Sequence, residues 1–191
     1  RCDHSATVNY TGGNEQAFRV DKTDPVIVHN FDQLVNDAEN SFNSDKEVTI
    51  TITEHNFAPE LVAITIYRVG AGQPLTVGNR QDCTKEYIDG NNWSTVGNDH
   101  TISFIFSSNY VYQVIIGGMD ESGRKIPECI SPVFEIDKIK PVLKAPANME
   151  ALIYTNDSTI KSIEFMDSNI AKVKYSVVSY RMKVNEEKIG Y

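Results

Sequence analysis

Trp93 and Tyr87 are the first residues to weigh for chemistry, because both sit on a polar stretch, EYIDGNNWSTVGND (86–99). An aromatic face on a polar loop can stack on a sugar ring while neighbouring carboxylates and amides bind its hydroxyls. The same tryptophan can instead fold down to cover one end of a core, as large aromatics commonly do. The three cysteines, Cys2, Cys83 and Cys129, show no C-x-x-C spacing, which removes zinc and dithiol redox chemistry. Cys83 and Cys129 either pair, a link of about 4 kcal/mol by chain-entropy arithmetic, or stay apart, since spacing alone carries no geometry. Cys2 would then find a partner outside this stretch of chain. The histidines, His4, His29, His55 and His100, are scattered without metal-ligand spacing, and no serine or cysteine stands in a nucleophile motif. No acid and base converge in the sequence, so the expectation is no catalytic residue, no cofactor-binding residue and no enzyme.

The formal charge of −8 over 191 residues argues against a nucleic-acid partner, which would require a basic face. Acidity of this size either keeps a protein soluble or supplies oxygen ligands to a hard cation, with Ca²⁺ the candidate. At 40% hydrophobic and 23% charged residues the chain can bury a core. No run approaches the ~20 apolar residues of a membrane span.

The elements that must position these residues are strands. EVTITITE (47–54), LVAITIYRV (61–69), HTISFIF (100–106), YVYQVII (110–116) and SPVFEID (131–137) alternate apolar and polar residues. Gly, Asn, Asp and Ser clusters separate them, which predicts an all-β chain. The expected core is Val48, Ile50, Ile52, Ile64, Ile66, Ile102, Phe104, Tyr112, Val114, Phe134 and Ile136. Only FDQLVNDAENSF (31–42) offers a short helix, with Phe31, Leu34, Val35 and Ala38 on one side.

One phrase occurs twice: FRVDKTDPVI at 18–27 and FEIDKIKPVL at 134–143. A second pair comes after each, EHNFAPELVAITIYRV (54–69) and DSNIAKVKYSVVSYRM (167–182), an acid, Asn two later, an apolar residue, Ala, then a strand. Such spacing marks seams between repeats. Residues 1–20 then read as the tail of one unit, 21–137 as a complete unit, and 138–191 as the opening of a third. Pro25 and Pro141 suit the first position of an edge strand.

Phe18–Pro25, Val48–Phe57, Tyr110–Ile116, Asp120–Gly123 and Phe134–Pro141 together resemble the bacterial immunoglobulin-like repeats of large Gram-positive cell-surface and secreted proteins. The resemblance implies tandem immunoglobulin-like β-sandwiches at an extracellular or cell-surface location. Strand A would start near Pro25, with B at 47–54, C at 61–69, E at 100–106, F at 110–116 and G at 131–137. In that architecture the start of A, the B–C loop and the F–G loop share one end, gathering Asp21, Asp24, Glu54, Asp120 and Glu121 as a ligand set for Ca²⁺. Lys140 replaces the Asp24 equivalent at the second seam, so a cation is expected to be weaker there. The implied role is a stalk, adhesin spacer or ligand-presenting unit. Its partners would be neighbouring repeats and a host glycan or matrix protein. The alternative is an accessory carbohydrate-binding module of a secreted carbohydrate-active enzyme, binding through Trp93 and Tyr87.

Overall fold

The structure, a computed structural model, describes residues 4–8, 16–88, 92–144 and 164–167. Cys2, half of 1–20 and most of 138–191 lie outside them, as does nearly all of the second strand phrase at 167–182. Among the described residues the chain is all-β, with helix confined to single turns. The strands are β1 (His4–Val8), β2 (Gln16–Val20), β3 (Val26–His29), β4 (Ser41–Phe42), β5 (Lys46–Thr53), β6 (Val62–Gly70) and β7 (Gln81–Asp82). They continue with β8 (Ser94–Val96), β9 (Asp99–Phe106), β10 (Tyr110–Met119), β11 (Lys125–Ile130), β12 (Phe134–Ile136), β13 (Val142–Lys144) and β14 (Glu164–Met166). No described helix is long and apolar enough to cross a membrane.

Two sheets share one core. The first runs β3-β5-β9-β8, antiparallel throughout. The second runs β4-β12-β10-β6-β7, with β11 also on β10, and only its β4–β12 pair is parallel. Alternation explains the division of faces: Val48, Ile50 and Ile52 of β5 point inward, and the intervening threonines point out. Outside, Thr49 bonds Ser103 at 3.0 Å and Thr51 bonds Thr101 at 2.9 Å, cross-strand pairs that fix the β5–β9 register. Ile66, Tyr112, Val114, Phe134 and Ile136 meet them from the second sheet. Ile64 is only partly buried, whereas Leu34, Phe106 and Ile116, not expected inside, are fully buried. β1 with β2 and β13 with β14 each form a separate antiparallel pair.

Three expectations are corrected. The 31–42 helix is one 3₁₀ turn, Phe31–Leu34, with Val35 exposed. Asn36 stops it: its Oδ1 accepts the main-chain N–H groups of Ala38 and Asn40, each at 2.9 Å, and its Nδ2 donates to Ser41 O at 2.8 Å. Asparagine competes with helix in this way, and here Glu39 and Asn40 adopt positive φ. The strand expected over 131–137 is shortened to β12, Phe134–Ile136, and is preceded by an unexpected strand, β11. Between them Ser131 Oγ replaces a ladder partner, accepting the Val114 N–H at 2.9 Å and donating to Pro132 O at 2.8 Å.

The third correction is that Cys83 and Cys129 are both free. Cys83 is buried, its thiol donates to Ile66 O at 3.3 Å, and burial pushes its pKa up to about 11. Thiolate is the reactive form, so iodoacetamide at pH 8 should label half-buried Cys129 at least about tenfold faster than Cys83. Peptide mapping by mass spectrometry reads the difference, and a Cys83–Cys129 cross-linked peptide would refute it. Because the folded thiol titrates above its ordinary 9.0, its contribution to stability is whole below pH 9 and is lost as pH rises through about 11.

Candidate functional site

Asp21, Glu54 and Asp120 each stand directly after the last residue of a strand: β2 ends at Val20, β5 at Thr53 and β10 at Met119. Each offers a carboxylate oxygen, and these atoms all lie within 4.8 Å of one another. Glu54 is 3% exposed and Asp120 1%.

Local backbone holds each carboxylate by one side. Glu54 Oε1 accepts the main-chain N–H of His55 at 2.7 Å and of Asn56 at 3.0 Å. Asp120 Oδ1 accepts the Ser122 hydroxyl at 2.7 Å and the Arg124 N–H at 2.8 Å, closing the 120–124 turn. Asp21 Oδ1 accepts the Thr23 N–H at 2.8 Å, which holds that carboxyl below its ordinary 3.8, and Oδ2 accepts Asn56 Nδ2 at 2.5 Å. The second oxygens of the two buried acids, Glu54 Oε2 and Asp120 Oδ2, are inaccessible and have no hydrogen-bond partner. Ionised carboxylates this close repel by roughly 4 kcal/mol at an effective dielectric near 20.

The cation that closes the 120–124 turn is engaged elsewhere. Arg124 donates to the main-chain carbonyl of Asp21 at 3.2 and 3.3 Å and pairs with Asp24. Glu54 is fixed further by its backbone: its N–H donates to Asn98 O at 2.9 Å, and its carbonyl lies 3.0 Å from His100 Nε2. A carbonyl only accepts, so that ring nitrogen carries the hydrogen. Thr95 Oγ1 sits 2.9 Å from Nδ1 on the other side of the ring.

Of the five acids expected here, Asp24 and Glu121 stand outside the group of three. The Asp24 side chain is 83% exposed and bound to Arg124. Glu121 is exposed, and its main-chain N–H donates to Asn56 O at 3.0 Å. Asn56, Arg124 and His100 organise the site and were not singled out from sequence as its members. The signal for Asn56 was present in its recurrence two residues after an acid in both strand phrases.

Trp93 and Tyr87 do not converge. Trp93 is half-buried, edge-on to Phe57 at 4.9 Å, and Phe57 stacks on His100 at 3.9 Å. Tyr87 packs against Phe106 at 4.8 Å and donates its hydroxyl to Tyr112 Oη at 3.1 Å. Burial raises the Tyr87 pKa. His100 and Phe106 sit at opposite ends of β9, about 20 Å apart at strand rise.

No protein-family model matches the chain, and neither comparison with curated proteins nor comparison with solved structures gives a significant match.

Proposed function

We propose that this chain is a non-catalytic, extracellular immunoglobulin-like repeat module of a bacterial surface protein, serving as a stalk or adhesin spacer that presents a binding region. The observation that carries this reading is that its two seams are built alike. Asp21 Oδ1 accepts the N–H of Thr23 at 2.8 Å, and Asp137 Oδ1 accepts the N–H of Ile139 at 2.9 Å. Each turn leads through proline into a strand. The first residue of β3, Val26, pairs with Thr53, which precedes Glu54. The first residue of β13, Val142, pairs with Met166, which precedes Asp167. Strand, aspartate turn, proline, strand, then acid therefore recurs in pairing register as well as in letters, as repeats require.

The two-sheet order supports an immunoglobulin-like unit over 21–137, with the 16–20 and 142–144 strands as parts of flanking units. Joints of so few residues would string units end to end with little freedom. The carbohydrate-binding alternative has weaker support, because Tyr87 is committed to the core and Trp93 lies at the far end of β9.

Limited proteolysis with mass spectrometry tests the repeat reading. The expected product is one resistant fragment bounded near 21 and 137, with early cleavage on either side. Faster cleavage within 70–99, between β6 and β9, with no resistant fragment, would count against it. A glycan or matrix-protein screen of the whole chain should be blank. A ligand lost on Trp93→Ala would replace the spacer reading with the carbohydrate-binding one.

A further inference from the structure

We infer that Asp21, Glu54 and Asp120 form a Ca²⁺ site that fastens the incoming chain to one end of the two-sheet unit. An acidic cluster alone would be ordinary surface. Here two of the three acids are almost wholly buried, and each keeps one oxygen with no partner. A buried, unpaired anionic oxygen is costly, and its expected complement is a proton donor or a cation. No donor reaches either atom, and the Arg124 side chain engages the Asp21 carbonyl and Asp24 instead.

The ligand chemistry and spacing suit calcium. Oxygens on opposite sides of Ca²⁺ lie about 4.6–5.2 Å apart, given bonds of 2.3–2.6 Å, whereas Mg²⁺ at 2.0–2.1 Å draws them to about 4.1 Å. A set of oxygens bounded at 4.8 Å fits within the calcium shell without further closure. Glu54 and Asp120 have one oxygen each tied to N–H or O–H groups, so each would bind through the other. Main-chain carbonyls and water would complete the six to eight ligands that calcium takes.

The three acids come from three separate segments: the stretch after β2, the turn after β5 and the turn after β10. One ion would bind all three at once. The site stands whatever role the module plays. Only its mechanical consequence, a stiffer seam, rests on the spacer reading.

The test uses the whole chain stripped with EGTA and then titrated calorimetrically with CaCl₂ or MgCl₂, alongside thermal melts. Saturable Ca²⁺ binding is expected, tighter than Mg²⁺ binding, with Tm rising by at least about 5 °C at a hundredfold excess over Kd. Glu54→Gln and Asp120→Asn should each weaken Ca²⁺ binding by roughly 30-fold or more, since the number of charged ligands sets affinity in such sites. Asp24→Asn and Glu121→Gln should stay within about threefold of wild type, because neither belongs to the group. In the metal-free chain the two weakening variants should melt no lower than wild type, since each removes like-charge repulsion.

Wild-type chain that shows neither binding heat nor a Tm change in millimolar CaCl₂ overturns the inference, even if a variant fails to fold. So does Ca²⁺ binding untouched by Glu54→Gln and Asp120→Asn. Ca²⁺ binding without a protease-resistant 21–137 fragment would keep the metal site and sink the spacer reading.

Discussion

Gly118→Ala is expected to destabilise the two-sheet unit by about 4 kcal/mol or more, a large fraction of the 5–15 kcal/mol typical of a domain. Gly118 holds φ at +127°, a conformation that side chains rarely adopt and that costs roughly 1–3 kcal/mol in a non-glycine residue. A Cβ there would also stand 2.3 Å from Leu61 O and 3.0 Å from Ala63 N and Val62 Cα. Those are backbone atoms of β6 and its approach, so no rotamer change relieves the clash. Gly117 is the internal control. Its added Cβ would meet Glu128 at 3.7 Å, an ordinary contact, so Gly117→Ala should cost about 1 kcal/mol or less.

The bulge explains why chemistry depends on this glycine. The β10–β11 register shifts between Ile116 and Gly118, so Gly117 faces both Pro127 and Glu128. Bulges bend a strand and re-aim the chain beyond it, and here the chain beyond is the turn that carries Asp120. Urea melts of both variants read the effect as a shift in midpoint at unchanged m. A Gly118→Ala midpoint close to wild type would mean that β6 can yield at Leu61 and admit the extra carbon.

Period-two alternation carried the strands and most of the core, because a residue's face in a sheet follows from parity alone. Val48, Ile50 and Ile52 needed no other information. Alternation did not gather the acids: they were grouped only through the resemblance, whose strand order puts the start of A, the B–C loop and the F–G loop at one end. Partners were less legible. Arg124 takes up Asp24 from a turn a hundred residues away in sequence, and nothing in the local pattern of either residue announces the other.

β11 was hidden by Pro127, which argues against a strand until a bulge absorbs its missing N–H. The 31–42 segment has helical spacing of apolar residues but ends after one turn, because asparagine side chains compete for the same N–H groups. Trp93 and Tyr87 are near in sequence but have different neighbours in the fold, Phe57 for one and Phe106 with Tyr112 for the other. Nearness in sequence is a poor guide to a shared site in an all-β protein, where the pairings that matter are long-range.

Tyr112→Ala should cost about 3–5 kcal/mol, the range for removing a large buried aromatic, and Tyr112→Phe about 1–2 kcal/mol. The tyrosine is fully buried on β10 and joins the sheets: its ring lies 4.8 Å from Phe106 of the first and 5.7 Å from Phe134 of the second. Truncation to alanine would open a cavity that the flanking strands, held by their ladders, cannot collapse. The phenylalanine variant keeps the ring and removes only the hydroxyl, which donates to Ser108 O at 3.1 Å and accepts from Tyr87 at 3.1 Å.

The two variants also separate in their pH dependence. Burial pushes the Tyr112 pKa well above its ordinary 10.0, so the folded state keeps a proton that the unfolded chain gives up. That contribution is whole below pH 10 and is lost as pH rises beyond it. Urea midpoints measured at pH 7 and pH 10.5 should therefore fall further for wild type than for Tyr112→Phe, with Cys83 supplying an alkaline loss common to both. Equal falls in the two proteins would show that the Tyr112 hydroxyl reaches solvent. The junction of Tyr87, Tyr112 and Ser108 would then be open, and Tyr87 would again be available for a ligand.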